Sequence, residues 1–127
     1  MAFTTYLRNK VLDDVLGTAA FTAPTTVYVG LFTSATGAAG GGTEVSGNGY
    51  TRKAIAFDVA SAGASDNTSA VEFDTATGSW GTITHTAVLD ASTSGNMLME
   101  NALTASKAIA SGDVFRFQAG EFDVTLT

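Results

Sequence analysis

The sequence predicts an all-β domain, a β-sandwich of jelly-roll type, carrying one N-terminal helix. Three observations point there. After Pro24, residues such as Val, Ile, Tyr, Phe and Thr gather in short runs divided by Gly, Ser and Asn clusters, the pattern of strands joined by turns. Several of these runs alternate apolar and polar residues, the period of a half-buried strand. Before Pro24, apolar residues recur at helical rather than strand spacing. At 127 residues the chain suits one domain, residues 1–127, with the helix at 3–16 and the sandwich from 25 to 127.

Each element has its own warrant. In "FTTYLRNKVLDDVL" (3–16), Phe3, Leu7, Val11 and Val15 fall at i, i+4 steps, and Leu12 and Leu16 widen the stripe. Gly17 follows as a stop. Asp13 and Asp14 stand where the helix dipole disfavours negative charge, a penalty of about 1 kcal/mol at most, which the apolar stripe outweighs. The stripe has two readings: it covers one face of the sandwich, or it docks on a partner. "TTVYVGLFT" (25–33) is apolar on both faces and suits a central, doubly covered strand. "RKAIAFDVA" (52–60) places Ile55, Phe57 and Val59 on one face. "AVEFD" (70–74) turns Val71 and Phe73 inward. "WGTITHTAVLDA" (80–91) and "NMLMENALT" (96–104) flank the turn "STSGN". "DVFRFQAG" (113–120) buries Phe115 and Phe117, and "FDVTLT" (122–127) points Phe122, Val124 and Leu126 in and Asp123, Thr125 and Thr127 out.

Composition narrows the function. Charged residues make up 14% of the chain, against about 25% in ordinary domains. The surface is therefore rich in Ser, Thr, Gly and Ala, which suits packing against protein. Six basic against twelve acidic residues give a net charge of −6, and no basic stripe is present. Nucleic acid and anionic membrane are excluded as expected partners on that ground. With no cysteine, disulfides and thiolate chemistry are impossible. No signal-like segment or membrane-length apolar run is visible, so folding in a cytosol is expected.

Three motifs invite chemistry. "GGGTEVSGNGY" (40–50) has glycines at phosphate-loop spacing in Gly42 and Gly47, but Asn48 and Gly49 stand where Lys and Ser/Thr belong. A strand pattern follows it, so no helix N-terminus is offered to an anion. It reads as a loop between strands. His85, the one histidine, lies on a strand with no Gly-x-Ser-x-Gly elbow in the chain, and reads as a packed or half-exposed strand residue. The carboxylates Asp58, Asp66, Glu72, Asp74, Asp90, Glu100, Asp113, Glu121 and Asp123 are scattered and form no EF-hand loop. No enzyme activity, cofactor or metal is expected. Trp80 reads as a core aromatic opening a strand, its N–H bonded nearby.

Taken in order, "YLRNKVLDDVLG", "TTVYVGLFT", "GGGTEVSGNGYTRKAIAF", "ATGSWGTITHTAVLDA" and "GNMLMENALTASKAIASGDVFRF" resemble a family of short tailed-bacteriophage virion proteins. Members are often labelled tail fibre proteins, and similar small β-sandwiches serve as head decoration or cement proteins. The resemblance implies a structural protein of the virion, assembled in the host bacterial cytoplasm. The expected role is head decoration: binding the major capsid protein from outside as a dimer or trimer and bridging capsid subunits. The alternative is a tail fibre or adhesin touching the host, and a remoter one is a carbohydrate-binding module. The residues expected at a partner interface are Phe3, Tyr6, Leu7 and Arg8 on the helix, with Thr43, Glu44 and Val45 in the loop.

Overall fold

In the computed structural model, which describes residues 1–126, the chain is built around one five-stranded antiparallel sheet. The elements in order are β1 (Ala2–Phe3), α1 (Thr5–Val15), β2 (Val27–Phe32), β3 (Lys53–Ile55), β4 (Ala64–Ser65), β5 (Val71–Glu72), β6 (Gly81–Leu89), β7 (Met97–Ile109), β8 (Arg116–Phe117) and β9 (Val124–Thr125). The sheet runs β1-β7-β6-β2-β3. Two ribbons, β5–β8 and β4–β9, face it. The all-β class with one N-terminal helix is as the sequence predicts, with a second layer sparser than a full sheet.

The inner face of the sheet supplies Val29, Leu31, Ile83 and Val88, all with no exposed surface. Against them packs an aromatic cluster centred on Phe73. Its ring lies 6.0 Å from Phe115 and 6.4 Å from Trp80, and Phe117 bridges Phe115 to Phe122 at 4.9 and 4.6 Å. The rings meet edge to face, the arrangement their quadrupoles favour. Alternation therefore sorts these strands correctly: Val71, Phe73, Phe115, Phe117 and Phe122 are inside, and Glu72, Asp74, Arg116 and Gln118 are outside. Trp80 is buried and donates its ring N–H to the Asn48 carbonyl at 2.9 Å.

β2 is covered on both faces, as its composition predicts. Its outer face, with Ala87, Leu89 and Met97 beside Phe32, forms a second apolar cluster. What covers that cluster is the small-residue loop that follows β2. Gly40 lies so close that a Cβ there would sit 3.4 Å from the Met97 side chain. Thr36 is buried and donates to the Glu100 carboxylate at 2.8 Å, pinning the loop to β7.

Several elements differ from expectation; the strand expected over 113–120, for one, pairs only at Arg116–Phe117. The helix spans Thr5–Val15 instead of 3–16, because Ala2 and Phe3 pair with Glu100 and Met99 as β1. Buried Thr4 is the N-cap: its hydroxyl accepts from Leu7 N and donates to the Met97 carbonyl at 2.6 Å. Gly17 ends the helix in the left-handed region (φ +78), with Gly17 N donating to Asp14 O and Thr18 N to Asp13 O, a Schellman closure. The apolar stripe is not buried along its length. Leu7 is in the core, whereas Leu12, Val15 and Leu16 are 55, 75 and 71% exposed, since only the N-terminal half lies on the sheet.

The strand expected over 52–60 pairs with β2 only at Lys53–Ile55, and beyond it makes a single bridge, Phe57 with Asn67. Phe57 is half-buried and Val59 is 95% exposed, because the chain leaves the sheet for a tight turn in which Ser61 and Ala64 exchange backbone bonds. β7 is longer than 96–104. It pairs with β6 in two blocks, Ala102 opposite His85 and Lys107 opposite Ile83, and residues 103–106 bulge out between them. At the C-terminal end, pairing is confined to β9, and Leu126 is 60% exposed rather than inward, because β9 meets only the two-residue β4. Thr127 lies outside the described residues.

Candidate interaction surfaces

The stretch 40–50 is closed on itself and on β2. β3 pairs with β2 only as far as Val29, which leaves the far end of β2 without a strand neighbour on that side. The loop takes that place. Thr33 N donates to Thr43 O at 2.9 Å and Val45 N to Leu31 O at 3.0 Å, around a single Phe32–Glu44 bridge. The remaining donor, Leu31 N, is satisfied by the Tyr50 hydroxyl at 3.0 Å. Small residues permit this approach. A Cβ on Gly30 would stand 2.9 Å from the Glu44 carboxylate, so that position accepts only glycine without displacement.

Arg52 is the hub of this region. Its Nε and Nη2 hold both Glu44 oxygens at 2.8 and 2.7 Å, a bidentate pair. Its Nη1 donates to the carbonyls of Ala91 and Ser94 at 2.7 and 2.8 Å. One side chain therefore joins the loop, the start of β3 and the β6–β7 turn. That turn is closed independently by Asp90, which accepts from Asn96 N at 2.7 Å. Burial alone would raise the Glu44 carboxyl, but hydrogen bonds from Arg52 and Tyr50, with the Arg52 charge, hold it below its ordinary value. Burial pushes the Tyr50 hydroxyl far up, and the Glu44 carboxylate it donates to pushes the same way. The hydrogen bond to Glu44 likewise raises Arg52 against its partial burial.

A phosphate finds no cradle here. The glycines at positive φ, Gly42, Gly47 and Gly49, shape turns, no helix follows, and a carboxylate occupies the centre. His85 is half-buried, its Nδ1 2.8 Å from Thr84 Oγ1. Among the described residues no three His, Asp or Glu side chains gather as metal ligands, and no helix is long and apolar enough to cross a membrane.

A family model described as "Podophage GP4 fiber I protein gp80" matches residues 2–125. The chain belongs to this podophage fibre protein family. It is thus a structural component of a tailed-phage virion, in agreement with the resemblance carried by its motifs. No curated protein matches the chain.

Within this fibre-family chain the residues expected at an interface divide. Leu7 and Val45 are buried in its own core, and Glu44 is held by Arg52 and Tyr50. Phe3 is half-buried in β1. Tyr6 is half-buried, with the Lys10 ammonium 5.7 Å from its ring centre. Arg8 and Thr43 are exposed. The structure leaves in solvent the part of the helix stripe for which two readings stood open, core cover or partner contact: Leu12, Val15 and Leu16 at the free end of α1. Arg52 was legible only as half of the basic pair Arg52-Lys53. Its role had no local signal, since its partners are at Glu44, Ala91 and Ser94.

Proposed function

We propose that this protein is a subunit of the phage fibre apparatus that works by packing against other virion proteins and carries out no catalysis. The observation that carries the reading is the match of a fibre family over nearly the whole chain. Three features of the molecule support a packing role. Among the described residues the ionisable groups displaced by their surroundings are all paired within the chain: Glu44, Tyr50 and Arg52 are bound to one another in a clasp that holds the fold, and Asp74 is paired with Lys53 on the surface. No buried side-chain polar atom among the described residues is left without a partner, as in a fold whose buried polar groups serve its own packing. The free surface offers apolar side chains at Leu12, Val15 and Leu16, which stable subunits present to neighbours. Copies assemble as a closed dimer or trimer, and many weak contacts on one particle add up to firm attachment.

Head decoration is the second reading, with the major capsid protein as partner and capsid bridging as the role. What favours it is the shape of the chain: among the described residues the strands fold back on one core and no extended shaft emerges. Gold labelling of intact virions with an antibody to this chain separates the two. Label confined to the tail and fibres is the expected result. Label spread over the head would replace the fibre reading with decoration, and unlabelled virions would overturn both.

A further inference from the structure

We propose that the cleft between the outer edge of β7 and the β8 side of the β5–β8 ribbon binds an extended, acidic segment of another protein, which adds to β7 as a short strand. Three features of the chain meet there. The first is bare backbone. β1 covers the outer edge of β7 only at Met99 and Glu100. Beyond it, among the described residues, the main chain from Ala102 to Ala108 bonds to no segment but β6, and residues 103–106 stand outside even that ladder. Such a row of N–H and C=O groups is a template for one more strand.

The second is space beside the edge. A cleft of about 430 Å³ opens there, with the buried rings of Phe115, Phe117 and Phe122 on its floor. An added strand sends alternate side chains to one face, so an apolar residue of the segment reaches these rings while its neighbours stay outside.

The third is charge. Lys107 and Arg116 stand on the rim of the cleft. Lys107 is paired in register with Ile83, a core residue, which puts it on the side of β7 where the cleft opens. Neither cation makes an ion pair among the described residues, although Glu72 is the cross-strand neighbour of Arg116. The carboxylate that shares the rim, Glu121, already accepts from Gln118 N. Two of the six basic residues of a chain with net charge −6 therefore border this one cleft. The bare backbone calls for a polypeptide, and the two cations call for carboxylates on it.

The same edge of a second copy does not fit. Pairing two β7 edges would set the basic rims of both copies against each other, and the bulge at 103–106 interrupts the flat run that such pairing needs. A short segment needs only a few residues of the edge. On the virion-subunit reading, on which the partner's identity rests, the segment belongs to a neighbouring virion protein. Binding itself is a property of the isolated chain, so its failure leaves the labelling experiment on virions undisturbed.

Titration of the isotope-labelled chain with a short blocked peptide of alternating valine and aspartate, followed by amide NMR, tests this. Shifts should move at Ala102–Lys107 and around Arg116, and amides within 102–107 should exchange more slowly when peptide is bound. The valine–lysine counterpart should bind at least about tenfold more weakly. A valine–aspartate peptide N-methylated at every residue should lose as much, since it cannot complete a ladder. Lys107→Glu should weaken the valine–aspartate peptide by about fivefold or more and should melt like the unaltered chain, because Lys107 is exposed. No binding, shifts confined to another surface, or equal binding of the lysine or N-methylated peptide would each overturn the proposal. Self-association of the unaltered chain that Lys107→Glu abolishes would put a second copy in the cleft and overturn it too. Should Lys107→Glu unfold, the comparison of peptides on the unaltered chain still decides.

Discussion

The loop from Ser34 to Tyr50 and the helix from Thr5 to Val15 invert what their sequences suggest. The loop is rich in Gly, Ala and Ser and looks loose. Yet it covers an apolar cluster, replaces a strand beside β2 and is tied down by Arg52. The helix has the stronger periodic pattern and looks like a core element, yet the last part of its stripe stands in water. Periodicity states that one side of an element is apolar. It does not state that the rest of the chain is long enough or placed to cover that side. Small residues carry little apolar surface of their own, but they let backbone approach backbone, and here that approach closes the sheet.

Substitutions that loosen the loop should therefore cost far more than substitutions at the end of the helix. The largest effect is expected at Arg52. Arg52→Ala leaves Glu44 without its charge partner and frees two carbonyls of the β6–β7 turn. A loss of about 3 kcal/mol in denaturant unfolding is expected, the lower end for a buried pair because the Glu44 side chain keeps 24% exposure. A loss below about 1 kcal/mol would mean the clasp is an ordinary surface pair. Next comes Gly30→Ala, which drives a methyl against Glu44 and Leu89. It should cost about 1–3 kcal/mol. Pairing it with Glu44→Ala should recover part of the loss in a double-mutant cycle, because the clashing carboxylate is gone.

A third test uses acid. The folded-state pKa of Glu44 lies below its ordinary value of 4.5, so the unfolded chain binds the proton more tightly. Its contribution is present in full well above pH 4.5 and is lost as pH falls through the lowered folded value. Stability measured against pH should fall more steeply below 4.5 in the unaltered protein than in Glu44→Gln. Parallel curves would show that Glu44 is not held as a carboxylate in the fold. The smallest effect is expected at the free end of the helix. Val15→Ser should change the stability of the monomer by no more than about 0.5 kcal/mol. A loss of 2 kcal/mol or more would place Val15 among packed core residues and erase the contrast between the two regions.

Much of this contrast is invisible in one dimension, for reasons particular residues make plain. Phe73, Phe115 and Phe117 can be assigned to the interior because their neighbours Glu72, Asp74, Arg116 and Gln118 cannot go there, and a pleated strand sends successive side chains to opposite faces. The same rule misplaces Val59 and Leu126. It holds only while the chain stays in a ladder, and both residues lie where the ladder has ended or is two residues wide. Thr4 as a cap and Gly17 as a stop act within one turn of their own positions, so the helix is recognisable even though its start is displaced by the pairing of β1 with β7.

Of the residues expected to meet a partner, Leu7 and Val45 were apolar enough to be either core or contact. Burial in this chain decides for core. Arg52 is the reverse case, a charged residue that reads as solvent-facing and proves to be internal wiring.

Alternating hydrophobicity, turn chemistry and the helical spacing of apolar residues before Pro24 were enough to establish the all-β class, the N-terminal helix and most of the aromatic core. Those properties depend on each residue's solubility and on neighbours a few positions away. Folding alone settled which partner β2 takes beyond Val29, what seals its outer face and which apolar residues stay in solvent. Those outcomes depend on contacts between segments far apart in the chain, such as Arg52 with Ala91, and on how much surface each brings to the meeting.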